Sequence, residues 1–503
     1  MSSVRVAPLG APFGACLAVA CGILLWIAGI NPLPALALAG GAAVVLGALA
    51  SVEVGVAALI AAVALFQRDQ LFAFSIPFMG GGLKPTDILL AVTLAGWAAR
   101  SAARAATRTA AETLSPHTGR RLAPPPHPVT WMLLGFVAWA ALSAAAGIMA
   151  GNGFKESLLE LRPLLQYLLF VPVVASLGSR SIRRIIIVML AAAAVSSLNA
   201  IAQYLGGGGN EALFTGGGMR ITAVPYAYML FAFIIAVLLR AGGSRHRLLL
   251  YGVAVLALGG LAVTLFRAAF LGLAAALAFA TWAAAPAMRR RLLRQAFLLL
   301  LALPIGAGAV GIGAAGSPEL VPALLSRMAS VSAYERDISA QHRLSEWSAA
   351  ARTIAANPVT GGGLGARVEF YSPMYDEQQN RMGYWSSDIY IHNSYLWVLA
   401  KLGLIGFILF GATLAFSLRT ALRAIRAAPP GPNTAILVAL TACIIATLVA
   451  AMFGPLLNTD NTTPFVAFAI AAIHVLCREA RAPTYTKERA AGRESQWSHS
   501  SAS

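Results

Sequence analysis

The chain has 503 residues, of which 58% are hydrophobic and only 11% charged, and its mean hydropathy is +0.74. So few charged residues cannot cover a soluble globule of this size, which excludes the water-soluble classes and leaves a polytopic membrane protein. The net charge of +18 does not point to nucleic acid, because the basic residues are dispersed over short connections instead of forming one patch.

Apolar runs long enough to cross a hydrocarbon core about 30 Å thick as helix recur along the whole chain. They cover residues 13 to 30, 33 to 50, 52 to 66, 86 to 99, 129 to 149, 158 to 177, 185 to 205, 223 to 239, 248 to 265, 268 to 285, 295 to 313, 391 to 418, 433 to 453 and 464 to 477. The fold class expected is therefore all-α, with about 14 transmembrane helices, or 12 if the short third and fourth runs do not span. Residues 1 to 30 read as an uncleaved first helix and not a signal peptide, because a second span follows at once. Cys16, Cys21, Cys443 and Cys477 all lie in or at apolar spans with no second ligand type nearby, implying neither disulfide nor metal.

Arginines cluster in alternate connections: Arg100 to Arg121, Arg180 to Arg184, Arg240 to Arg247, Arg289 to Arg294, Arg419 to Arg426 and the tail from Arg478. By the positive-inside rule these connections are cytoplasmic, which puts both termini of the multi-pass chain inside. The chain divides accordingly into N-terminal helices (1–99), a Pro- and Arg-rich cytoplasmic linker (100–128), a helical core (129–313), an extracytoplasmic loop (314–390), C-terminal helices (391–477) and a cytoplasmic tail (478–503).

Two of the loops are on the outer side. The segment Phe66 to Pro85 with its Gly80-Gly81-Gly82 is apolar enough to lie partly in the membrane. The segment from about Ala314 to Tyr390 holds a large share of the polar side chains. Within it Tyr334 to Ala356 has helical spacing, with Arg343, Trp347, Ala350 and Ile354 on one face, and Asn357-Pro358 stops it. Trp347 suits a helix lying on the bilayer surface. Thr360-Gly361-Gly362-Gly363-Leu364-Gly365 follows, either a glycine turn after a helix or a loop whose amides cradle an anion through Gly361, Gly363 and Gly365. The aromatic and acidic stretch Glu369 to Asp388 closes a long loop without regular structure, which reads as a lid or binding segment or else as disordered.

Four polar residues stand at the outer membrane edge. Arg220 follows Gly216-Gly217-Gly218, and Arg267 lies between two apolar runs with no polar loop around it. A guanidinium near lipid costs at least about 2.5 kcal/mol, so an anion is expected to offset it, although snorkelling to the interface is the plainer alternative for Arg267. Arg162 lies just inside a span; Glu160, two residues away, faces another side of the helix and is not its partner. His392, with Asn393 after it, opens the run Leu399 to Phe416 and is the histidine that is both outward and at a helix mouth. A neutral imidazole there is suited to take a proton from a hydroxyl, and a structural role is the alternative.

The segment His392-Asn393-Ser394-Tyr395-Leu396 with Gly403-Leu404-Ile405-Gly406 resembles the His-Asn motif and Gly-x-x-Gly helix of the O-antigen ligase and O-antigen polymerase superfamily. Arg343 through Trp347 and Pro358 to the glycine run resembles the segment that precedes that motif. Thr264-Leu265-Phe266-Arg267-Ala268-Ala269 resembles its Thr-x-Ser-Arg element, with Phe266 in the serine position, and Arg220 with Pro225 resembles an upstream arginine. The resemblance runs from about Arg162 to Phe410.

It implies glycosyl transfer from undecaprenyl-diphosphate-linked oligosaccharide to a glycan acceptor on the periplasmic face of the inner membrane, without cofactor or metal. His392 would be the base, Arg220, Arg267 and Arg162 would hold the diphosphate, and Arg343, Gly361, Gly363, Gly365 and Asn393 would bind substrate from the loop. Asp388, four residues before His392, would orient the imidazole if the helix began early. A flippase, a chain-length regulator and membrane lipid are the implied partners. A lipid-linked glycan transporter is the rival, but it calls for two related halves and polar groups at the midplane, whereas here one outer loop carries them. A structural membrane protein would not need arginines at the outer edge.

Overall fold

A computed structural model describes residues 33–65, 76–78, 81–114, 128–206, 210–211, 219–220, 225–242, 246–284, 288–298, 338–376, 381–429 and 431–479. The run at 13 to 30, the run 295 to 313 from residue 299 onward, the uncleaved first helix, Cys16, Cys21, residues 314 to 337 of the expected loop and the tail beyond 479 lie outside the described residues.

The described chain is mostly helical. Its helices are α1 (Leu33–Ala50), α2 (Val52–Leu65), α3 (Pro85–Leu114), α4 (Pro128–Met149), α5 (Phe154–Leu165), continued through a 3₁₀ turn into α6 (Phe170–Ser176), and α7 (Ser179–Leu205). There follow α8 (Tyr226–Ala241), α9 (Arg247–Ala262), α10 (Arg267–Ala283), α11 (288–298), α12 (Ile338–Ala356), α13 (Ser394–Ala427), α14 (Pro432–Ala450) and α15 (463–479). Among the described residues, five helical stretches are long and apolar enough to cross a membrane: Pro128–Met149, Phe154–Ser176, Ser179–Leu205, Ser394–Ala427 and Pro432–Ala450. Shorter apolar helices include Val52–Leu65, Tyr226–Ala241, Leu248–Ala262 and Arg267–Ala283.

Two local differences from the sequence reading have plain causes. The linker expected from residue 100 is helical as far as Leu114, because α3 continues into an Ala- and Arg-rich stretch of strong helix formers. The described residues also form three two-stranded antiparallel sheets, β1 (Ile76–Phe78) with β2 (Gly81–Leu83), β3 (Asn210–Glu211) with β4 (Met219–Arg220), and β5 (Val368–Asp376) with β6 (Arg381–Asp388). The helical class is thus not purely α in its loops.

The core follows α8, α14 and α15, whose side chains are buried nearly all round: Phe231, Phe233, Phe465, Phe468 and Cys443 are each at most 1% exposed. A helix apolar on every face belongs inside a bundle. Around it α4, α7, α9 and α10 bury one stripe and leave residues such as Trp131, Ile187, Leu248 and Leu271 exposed, as lipid-facing helices do. Helix α12 packs on β5 and on α13, and β5 pairs with β6.

Candidate active site

His392 sits one residue before the cap of α13, and a carboxylate from α12 holds it. Its backbone N–H donates to Glu346 Oε2 at 2.8 Å, and its Nδ1 lies 3.0 Å from Oε1 and 3.2 Å from Oε2. Glu346 is 1% exposed, whereas the His392 side chain is 41% exposed, so the dyad has a dry anionic end and an accessible imidazole. With a carboxylate on Nδ1, that nitrogen carries the proton and Nε2 is left as acceptor, a tautomer assigned from the neighbour.

Glu346 reaches this place because α12 turns His342, Glu346, Ala349 and Ala350 inward at spacings of three and four. The buried face is offset by one residue from the Arg343–Trp347 face expected from the sequence, and both Arg343 and Trp347 are half-buried. His342 is fixed on the same face: its Nδ1 lies 2.8 Å from Ser372 Oγ, and its ring meets Phe370 edge-on at 5.0 Å and His392 at 6.0 Å. Burial pulls the His342 imidazole below its usual value, against the opposing Glu346 charge, with His392 adding to the lowering. His342, Glu346 and His392 also offer one ligand atom each within 4.8 Å of one another. Two imidazoles and a carboxylate are a donor set that zinc accepts, so metal dependence is a matter for direct test.

Asp388 does not orient the imidazole. It ends β6, its Oδ1 accepts the Tyr390 N–H at 3.0 Å, and the helix starts only at Ser394. Asn393 caps that helix, its Oδ1 accepting from the backbone N–H groups of Tyr395 (3.0 Å) and Leu396 (3.2 Å). Tyr390 lies between, and burial together with the Asp460, Glu160 and Asp388 carboxylates pushes its phenol up, keeping it a neutral hydroxyl.

The glycine run is bound into a break in α13. Gly403 has φ 63 and ψ −167, which ends the regular ladder and frees the carbonyls before it and the amides after it. The N–H of Gly362 bonds Ala400 O (2.8 Å), that of Gly363 bonds Lys401 O (3.1 Å), Leu404 N–H bonds Pro358 O (2.9 Å) and Ile405 N–H bonds Val359 O (3.3 Å). Trp139 Nε1 takes Leu402 O at 2.8 Å. Gly365 N–H bonds Glu160 Oε2 at 2.6 Å, and Gly361 N–H bonds Asn357 O. The amides at Gly361, Gly363 and Gly365 therefore already have protein acceptors and do not form an anion cradle. Their positive φ values of 74, 83 and 81 and the lack of room for a Cβ against Lys401, Gly147 and Ser157 explain the glycines.

Under this clamp lies a buried ion pair that sequence inspection missed. Glu160 Oε1 accepts from Lys401 Nζ at 3.0 Å and from Trp397 Nε1 at 2.9 Å, and Lys401 also donates to Ala366 O. Both charged side chains are 1% exposed. Arg162 faces elsewhere: its Nε donates to Asp87 Oδ1 at 2.9 Å and its Nη2 lies 3.5 Å from Asp460 Oδ2, which Lys84 Nζ also holds at 2.6 Å. Two cations and two carboxylates are balanced there, so a diphosphate at Arg162 would compete with Asp87 and Asp460.

Arg267 begins α10 after a tight turn in which the buried Leu265 adopts φ 48 and Thr264 Oγ1 accepts the Phe266 N–H. The Phe266 ring meets Tyr226, near the start of α8, at 5.7 Å, and comes within 3.8 Å of where a Cβ on Gly454 would lie. Gly454 O accepts from Ser394 Oγ at 2.9 Å, and Ser394 N–H donates to Ala451 O. The turn carrying Arg267, the head of α8 and the helix mouth beside His392 therefore all join the connection after α14. Arg220 pairs with Asn210 across β3 and β4, six residues before Tyr226.

Residues 252–411 match the family model described as O-antigen ligase. The matched stretch contains Arg267, α12, the glycine clamp, the hairpin and the first half of α13. No curated protein matches the chain.

Proposed function

We propose that this chain, a member of the O-antigen ligase and polymerase superfamily through residues 252–411, is a polymerase of undecaprenyl-diphosphate-linked oligosaccharide acting on the periplasmic face of the inner membrane. His392 is the general base. Its Nε2 takes the proton of an acceptor hydroxyl as that oxygen attacks the anomeric carbon, the new C–O bond forms with inversion, and the bond to the diphosphate oxygen breaks. The observation that carries this reading is the grip of buried Glu346 on both the backbone N–H and Nδ1 of His392, which fixes ring and tautomer as a carboxylate does for a catalytic imidazole. Arg267, with Arg220, neutralises the departing diphosphate, a task for which guanidinium is suited by its fork of donors. Arg343 lies next to His342 on α12 and would meet the substrate from the loop side.

The test is transfer by purified protein supplied with lipid-linked repeat units. His392→Ala is expected to abolish chain growth, and Glu346→Gln to reduce kcat by about a hundredfold or more; wild-type turnover by His392→Ala overturns the assignment. Chelator treatment is expected to leave the rate unchanged, while a zinc-restored loss would make His342, Glu346 and His392 ligands instead. The family description favours one second reading, ligation of the finished glycan to a lipid A core. In a deletion strain, a single repeat left on the core marks a polymerase, and bare core with accumulated lipid-linked polymer marks a ligase.

A further inference from the structure

The hairpin β5–β6 has two faces with different surroundings. Phe370 and Ser372 point inward, 2% and 0% exposed, and support His342. On the opposite face Tyr371 and Trp385 are cross-strand partners, 51% and 75% exposed, with ring centroids 6.1 Å apart at 74°. Gly383, at φ 81, makes room for Tyr371: a Cβ there would strike the phenol ring, so the ring lies over β6 beside the indole. Glu369 and Ser387, the next cross-strand pair on this face, are exposed as well. Arg367 braces the edge, donating to Ser387 O at 3.1 Å and to Glu156 at 2.9 Å.

We infer that this aromatic face binds sugar rings of the glycan distal to the bond being formed, an inference that rests on the reading of the chain as a glycan-transferring enzyme. Two rings set edge to face present π surfaces to the C–H faces of a pyranose, and the neighbouring carboxylate and hydroxyl suit its equatorial hydroxyls. The same face seated in anionic headgroups would set Glu369 against phosphate, which disfavours lipid as its occupant. Position agrees with the assignment. Trp385 is seven residues before His392, a reach of at most about 25 Å along extended chain, so glycan lying on the hairpin is within a few sugars of the base.

The experiment uses the full chain in nanodiscs with His392→Ala, so that glycan is not consumed. The probe is the oligosaccharide released by mild acid from the lipid-linked intermediates of the producing cells. Replacing both aromatics (Tyr371→Ala, Trp385→Ala) is expected to weaken binding about tenfold or more, whereas Tyr371→Phe with Trp385→Phe stays within about twofold. Unchanged binding by the alanine pair overturns the proposal. So does quenching of the Trp385 contribution by brominated lipid, since the indole would then be seated in the membrane. Transfer by the unmodified chain is measured separately. Binding through this face without any transfer sinks the enzyme reading and leaves the glycan platform standing; transfer unaffected by the alanine pair, with binding also unaffected, does the reverse.

Discussion

Glu346 is a carboxylate with almost no access to water, and such a group is tolerated where donors reach both its oxygens. The backbone and ring N–H groups of His392 supply them, so removing the imidazole has a consequence besides the proposed loss of chain growth. His392→Ala leaves Glu346 with one donor fewer, and Glu346→Gln is the cleaner test of orientation because it keeps the shape. The other imidazole carries its own pH signature. Since burial depresses the His342 pKa, the unfolded chain binds its proton first as pH falls, and the stability contributed by neutral His342 is lost progressively below about pH 6.5. Hydrogen exchange of residues 338–376 is expected to quicken on acidification through that range, and His342→Asn to flatten the dependence. Exchange that stays independent of pH after correction for intrinsic rates would show that His342 does not hold the loop.

At the scale of elements, the broken helix α13 and the glycine run form one unit. Each has backbone groups that the other satisfies, and buried backbone N–H and C=O groups must find such partners. The φ and ψ of Gly403 belong to a region essentially reserved for glycine, where a side chain costs about 1–3 kcal/mol, and a Cβ there would also meet Val359 O. Gly403→Ala is therefore expected to lower the unfolding temperature in detergent and to deprotect the amides of Gly362, Gly363, Leu404 and Ile405. Full protection with wild-type stability would mean that the clamp does not depend on the break. The sequence shows the glycines and the helix stop at Asn357-Pro358 but not their use, since the acceptors of the Gly362, Gly363 and Gly365 amides lie on other helices. The hairpin was hidden for a related reason. Its period-two alternation, Val368, Phe370 and Ser372 in and Glu369 and Tyr371 out, is short, and a lone hairpin is marginal until α12 covers one face.

Across the whole molecule, Glu160, Trp397, Lys401 and Gly365 weld α5, α13 and the outer loop through charges with no water to fall back on. Removing one partner of a buried pair typically costs about 3–5 kcal/mol, whereas replacing both with well-packed groups is often neutral. Lys401→Met alone is thus expected to cut folded yield sharply in nanodiscs, and adding Glu160→Gln to recover much of it. A double variant as unstable as the two losses summed would show that the pair does not act as a unit. Composition and hydropathy were enough to indicate a helical membrane protein, and the His-Asn segment lies within residues 252–411, which match the family model described as O-antigen ligase. Those properties are local: a span must be apolar along its own length, and its backbone must bond within itself. The carboxylate on His392 comes from 46 positions away, Arg162 and Lys401 take partners from distant elements, and the glycines serve a helix that follows them. Only the packed structure decided these, because a buried charge or a freed carbonyl selects whichever donor the fold brings within about 3 Å, and sequence distance does not enter that choice.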